Sequence, residues 1–189
     1  MYLSTAGVEP AQACSSWRQE RDRLFRTHPQ SALTGGQKRG FSGLPYFAYD
    51  DAFRVTGTLQ ETPDAPPVPL DTGGDDGIVQ CEQVGVLEFS LGSLVLFWIR
   101  GYGGGLFLPF RDATGAAETY GGGRYLADTI KGTHGGGLVI DGHTIVLDFN
   151  YAYNPSCAYN SEFACPLAPR SNWLAFEIRA GEKAFTALV

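Results

Sequence analysis

The stretch LVIDGHTIVLDF, residues 138–149, decides the fold. Leu138 to Ile140 and His143 to Phe149 flank Asp141-Gly142, a dipeptide that favours the primed turn of a two-residue β-hairpin. In the second arm Ile145, Leu147, Phe149 and Tyr151 share one face, and that face is wholly apolar or aromatic. Thr144, Val146, Asp148 and Asn150 share the other. Working outward, Val84 to Leu91 and Leu94 to Ile99 flank Gly92-Ser93 as a second hairpin, and Leu106 to Phe110 is a further short strand. Phe53, Val55 and Leu59 alternate with Arg54, Thr56, Thr58 and Gln60, and Trp173 to Ile178 alternates again near the end of the chain.

One helix stands before these strands, from Pro10 to His28. Pro10 suits a first turn, Trp17, Leu24 and Phe25 lie near one stripe, and charged residues fill the rest. Pro29 disfavours helical geometry at His28 and ends it. Residues 61–77, rich in Pro, Asp and Gly, read as a long exposed loop. Glycine triplets at 103–105, 121–123 and 135–137 supply bends. Roughly seven antiparallel strands and one helix predict a mainly β protein, an antiparallel β-barrel or curled β-sandwich with the N-terminal helix packed on it. The expected organisation is a single domain over 1–189, with the helix at 10–28 and a β-rich body over 53–185.

Composition removes several function classes. A net charge of -6 lacks the clustered Lys and Arg of a nucleic-acid footprint. No apolar run approaches the ~20 residues that cross a bilayer. No leader pattern is visible, and four cysteines are too few for a disulfide scaffold at this length, so reduced thiols in a cytoplasm are expected.

The segment from Asp148 to Pro169, DFNYAYNPSCAYNSEFACPLAP, is made of residues that are costly to expose and need partners when buried. It reads as the wall of a small-molecule site. Asp148 and Asn150 end the strand from His143 as a polar rim; the same pair could instead fix the path of the following loop. A second cluster runs through Arg111, Glu118, Tyr120 and Arg124, where a guanidinium fork suits an anionic or carboxylate-bearing ligand. The alternative there is a structural bridge from Arg124 to Asp148 or Glu118. The site reading assigns Asp148 and Glu118 as general acid or base, with Arg111, Tyr120, Arg124, Asn150, Tyr153, Asn154 and Tyr159 binding the ligand. It expects Arg124, Asp148 and Asn150 to meet at one end of the barrel.

Cys157 and Cys165 give a second reading. As thiolates they would hold zinc or copper; as thiols they form a buried pair, or in an oxidising compartment a disulfide across the loop, and no cofactor is expected in either case. His134-Gly-Gly-Gly137 copies an oxyanion-hole run, but the chain has no Gly-x-Ser-x-Gly elbow, which excludes a serine hydrolase. In a third reading the chain is a non-catalytic structural or interaction module, its polar wall only an internal network.

Several of these residues fall in longer patterns. They are Phe110-x-Asp112-x-Thr114, Glu118-Thr-Tyr-Gly-x-Gly-Arg-Tyr-Leu126, Leu147-Asp-Phe-Asn-x-Ala-Tyr-Asn-Pro-x-Cys-Ala-Tyr159, Cys165-Pro-Leu-x-Pro169, Asn172 and Ala180-Gly-Glu-Lys183. With Trp17-Arg18, Arg21-Asp22 and Phe41-x-Gly-Leu44, this set resembles the prokaryotic family called domain of unknown function 1684. The resemblance spans nearly the whole chain. It implies no catalytic residue, and its matched positions coincide with the two polar clusters.

Overall fold

The computed structural model describes residues 8–72, 77–100, 104–129 and 136–186. His134 and part of two glycine triplets lie outside them. Eight strands make one antiparallel sheet: β1 (Arg54–Glu61), β2 (Val68–Asp71), β3 (Ile78–Phe89), β4 (Gly92–Ile99), β5 (Gly105–Phe110), β6 (Arg124–Asp128), β7 (Leu138–Asp141) and β8 (Thr144–Asp148). The order is β6-β5-β4-β3-β1-β8-β7, and the sheet curls into a half-barrel. β3 is its spine. One edge of β3 pairs with β4, while the other carries β1 opposite Gly85–Phe89 and β2 opposite Ile78–Cys81. The sharp curl needs two glycines. A Cβ on Gly57 would strike the Glu88 carbonyl, and one on Gly85 would lie 2.5 Å from the Gln60 carbonyl, so neither position admits a side chain without moving backbone.

Alternation along the strands separates two cores. Leu87, Leu94, Leu96, Leu108, Phe110, Leu126, Ile145, Leu147 and Phe149 pack together, each fully buried. Leu70, Cys81, Phe97, Ile99, Phe107, Tyr125 and Tyr153 form the second, which Trp17 covers, and Phe25, Ala32, Leu33, Leu44 and Tyr159 gather in a third cluster off the sheet. The expected packing face of the strand from His143 is thus borne out at Ile145, Leu147 and Phe149. Trp17 comes from α1 (Pro10–Thr27), which starts with Pro in its first turn and ends at an extended His28. Its buried stripe is Cys14, Arg21 and Phe25, with Trp17 against Tyr151 and Tyr153 at ring distances of 5.2 and 6.3 Å. Leu24, expected on that stripe, is exposed at its flank.

Other expectations are corrected by the backbone. The 61–77 segment is not all exposed loop: β2 lies in it, with Leu70 buried. The β3–β4 turn is Ser90-Leu91; Gly92 pairs with Phe89 as the first residue of β4, at φ +130°. The last hairpin turns at Gly142-His143 because Asp141 already pairs with Thr144, and Gly142 takes the positive φ. Trp173 to Ile178 is no strand. There the backbone is held by single contacts, a parallel bridge of Trp173 to Arg111 in which Leu174 N donates to the Arg111 carbonyl, and Ala113 N donating to the Phe176 carbonyl. Among the described residues no helix is long and apolar enough to cross a membrane.

Candidate functional site

Arg124 opens β6 directly after Gly123, and its side chain is sealed at 1 % exposure. Nη2 donates to Asp112 Oδ1 at 3.0 Å and to the Ile178 carbonyl at 2.9 Å; Nη1 donates to the carbonyls of Ala180 and Glu182. Asp112 Oδ2 in turn accepts from Ile178 N at 2.7 Å and from the Thr114 hydroxyl at 2.7 Å. Burial works against the Arg124 charge and lowers its pKa, and the Asp112 carboxylate opposes that. The knot binds the C-terminal segment to the half-barrel and employs both terminal nitrogens of the guanidinium; Nε is buried without a hydrogen bond. Arg124 therefore does not meet Asp148, contrary to the sequence expectation. The turn of 112–119, ending in Thr119 against Thr114, gives it a nearer carboxylate.

Asp148 and Asn150 do stay together. Asp148 Oδ1 accepts from the Asn150 backbone at 3.0 Å and from its Nδ2 at 2.9 Å. Asn150 also exchanges two bonds with the Asp50 backbone, and Arg18 of α1 donates to the Asn150 carbonyl at 2.9 Å. Burial raises the Asp148 pKa, and its bonds from Asn150 oppose the shift. The pair ties the approach to β1 and the helix to the tip of β8, so it fixes a loop path.

The remaining candidates are dispersed. Glu118 forms a surface ion pair with Arg179 at 2.9 Å. Arg111 stacks on Trp173 at 4.3 Å. The Tyr120 hydroxyl lies 3.6 Å from Cys157 Sγ, and Cys165 Sγ accepts from the Cys157 backbone at 3.3 Å. Both thiols are unbridged. The contact with Cys165, then burial, holds the Cys157 thiol well above its usual pKa. Among the described residues no group of three or more His, Cys, Asp or Glu could hold a metal ion.

Tyr153, Asn154 and Tyr159 behave differently. They line a cleft of about 300 Å³ between α1 and the end of β6, with Trp17, Arg21, Leu24, Ser31, Tyr125 and Asp128 among the other walls. Tyr153 is held there by a reciprocal bridge to Tyr125, at 2.8 and 3.0 Å. Behind the wall, Glu182 is completely buried. It accepts from Arg21 Nη2 at 3.1 Å, from Asn154 N at 3.1 Å and from the Tyr159 hydroxyl. Burial raises the Glu182 pKa, and Arg21, Tyr159 and Asn154 oppose the shift. Burial also works against the Arg21 charge, but Glu182 and the two tyrosines more than restore it and raise the Arg21 pKa. The guanidinium lies over the rings of Trp17, Phe25 and Tyr153 at 5.1, 5.2 and 4.8 Å.

Two residues of the cleft lining carry a buried polar atom without a partner, Asn154 (Oδ1) and Ser31 (Oγ), as do Arg18, Tyr49 and Arg124 elsewhere. A buried polar atom normally has one. A second groove of about 250 Å³, lined by Gln37, Phe41, Pro45 and Phe185 among others, contains no such atom. Three of the residues expected to bind a ligand thus converge on one cleft. Trp17, Arg21, Ser31, Tyr125 and Asp128 join them without having been anticipated. One signal was available for Arg21, a charged residue on the apolar stripe between Trp17 and Phe25.

Residues 39–183 match the family described as "Protein of unknown function (DUF1684)". The fold resembles the solution NMR structure of an uncharacterized protein from Haloarcula marismortui, with 37 % identity over 91 % of this chain and 92 % of that one, at a TM-score of 0.63. No curated protein matches.

Proposed function

The chain belongs to the DUF1684 family, and we propose that it is a small-molecule-binding protein whose ligand enters the cleft between α1 and the Tyr153–Tyr159 segment. The observation that carries this reading is an aromatic-walled cleft on which Tyr153, Asn154 and Tyr159 converge, two of its lining residues, Asn154 and Ser31, each holding a buried polar atom without a partner. Leaving such an atom unmatched costs about 1–3 kcal/mol, which a ligand that supplies the partner recovers. The volume is at the small end of ligand pockets and suits a molecule of one ring. Binding is favoured over catalysis because the candidate acids and bases are committed elsewhere, Asp148 to Asn150 and Arg54, Glu118 to Arg179.

A fragment screen by protein-observed NMR tests the proposal. Fragments that bind should shift the Trp17 indole N–H and the Ser31 and Asn154 amides. Shifts confined to Gln37, Phe41 and Phe185 would move the site to the second groove and defeat the reading.

A further inference from the structure

Resting on that cleft reading, we infer that the cleft takes an organic cation, a protonated amine or quaternary ammonium on a small apolar body. The charges of the lining set the sign. Arg21 is neutralised by Glu182 behind it, at 3.1 Å in the interior. The other charged side chains of the lining, Glu20 and Asp128, are carboxylates. Glu20 is exposed and already paired with Arg23 at 2.8 Å, so it contributes less. Asp128 closes β6 at 6 % exposure, where little solvent screens it. β6 is bulged where the register slips between Leu108 and Pro109. Leu126 and Ala127 therefore both enter the first core, while Tyr125 and Asp128 both line the cleft. The net charge of -6 favours the same sign of ligand at longer range.

Hydrogen bonding points the same way. Donors that an anion would need already serve the chain. The Tyr125 hydroxyl donates to the Pro166 carbonyl, the Tyr159 hydroxyl and the Asn154 backbone to Glu182, and Asn154 Nδ2 to the Lys183 carbonyl. An ammonium brings its own donors, and a quaternary ammonium needs none. The walls suit a positive charge as well, because the faces of aromatic rings attract cations. Arg21 already exploits this, its guanidinium lying over Trp17 and Tyr153. Tyr125 has no cation over its ring among the described residues. Burial first, and then nearby charges that include Asp128, hold its phenol well above the usual pKa, so carboxylate and ring act on the same part of the cleft.

Benzylamine, benzyl alcohol and benzoate share a ring and differ in charge. Each is titrated into the full chain at neutral pH, with the Trp17 indole and Tyr125 amide shifts as readout. Benzylamine should bind about tenfold or more tightly than either of the others, as expected for a cation held by a shielded carboxylate and ring faces. Asp128→Asn should remove most of that advantage and leave the affinity for benzyl alcohol unchanged. Benzyl alcohol or benzoate binding in the cleft as tightly as benzylamine would overturn the inference and leave the cleft reading intact. So would a benzylamine advantage that survives in full in a folded Asp128→Asn protein. If none of the three shifts a cleft residue at millimolar concentration, both fall together.

Discussion

Arg124→Met lowers the free energy of unfolding by about 3–5 kcal/mol, the loss expected when one partner of a buried ion pair is removed. The change leaves Asp112 as a buried carboxylate and strips a donor from the carbonyls of Ile178, Ala180 and Glu182. Methionine fills much of the volume, so the effect reads the charge and hydrogen bonds more than a cavity. Urea denaturation measures it. The double change Asp112→Asn with Arg124→Met should be less destabilised than the sum of the two single changes, because the stranded carboxylate is gone. A loss below about 1 kcal/mol in the single variant would mean that the knot does not hold the C-terminal segment.

The second large effect is Arg21→Met, and it depends on pH. Glu182 has a folded pKa raised above its unfolded value, chiefly by burial, so the folded state holds its proton more tightly than the unfolded chain. That contribution is fully present below the unfolded pKa of about 4.3 and is lost as pH rises through the folded pKa. Arg21 is the largest influence holding the folded pKa down. Without it the folded pKa climbs further, and the window of falling stability widens upward toward neutral pH. Arg21→Met should therefore cost about 3–5 kcal/mol near pH 8 and clearly less near pH 5. Chemical denaturation at the two pH values checks it. A cost independent of pH would remove Glu182 as the responsible group.

Much of the half-barrel was legible because its strands alternate against one core. Ile145, Leu147 and Phe149 are the clearest case. What escaped has physical reasons. β6 is buried on both faces, so Arg124 to Asp128 shows no alternation. β2 contains Pro69 and follows Pro66-Pro67, which read as loop, yet among the described strands it pairs with β3 alone, and an edge strand tolerates proline. Trp173 to Ile178 has a strand's pattern without a strand's neighbours.

The site was legible to the extent that costly residues must find partners, and Tyr153, Asn154 and Tyr159 were found on that ground. The same logic pointed equally to Arg124, Asp148 and Asn150. Composition marks a buried polar group, but only the folded chain decides whether its partner is another side chain. For Arg124 and Asp148 the partners are Asp112 and Asn150. Arg21 was overlooked because its partner, Glu182, lies 161 positions away.

On the proposed function the polar networks are structural and the α1 cleft takes the ligand. Ser31→Phe tests this most directly, since it puts a ring into the cleft and touches neither the Arg124 knot nor the Asp148–Asn150 pair. Fragment affinity and Tm are measured on the same sample. The predicted result is a Tm within a few degrees of the unaltered protein, as expected where no buried network is broken, together with loss of binding by every fragment that shifts Trp17. Undiminished binding in a folded Ser31→Phe protein would contradict it.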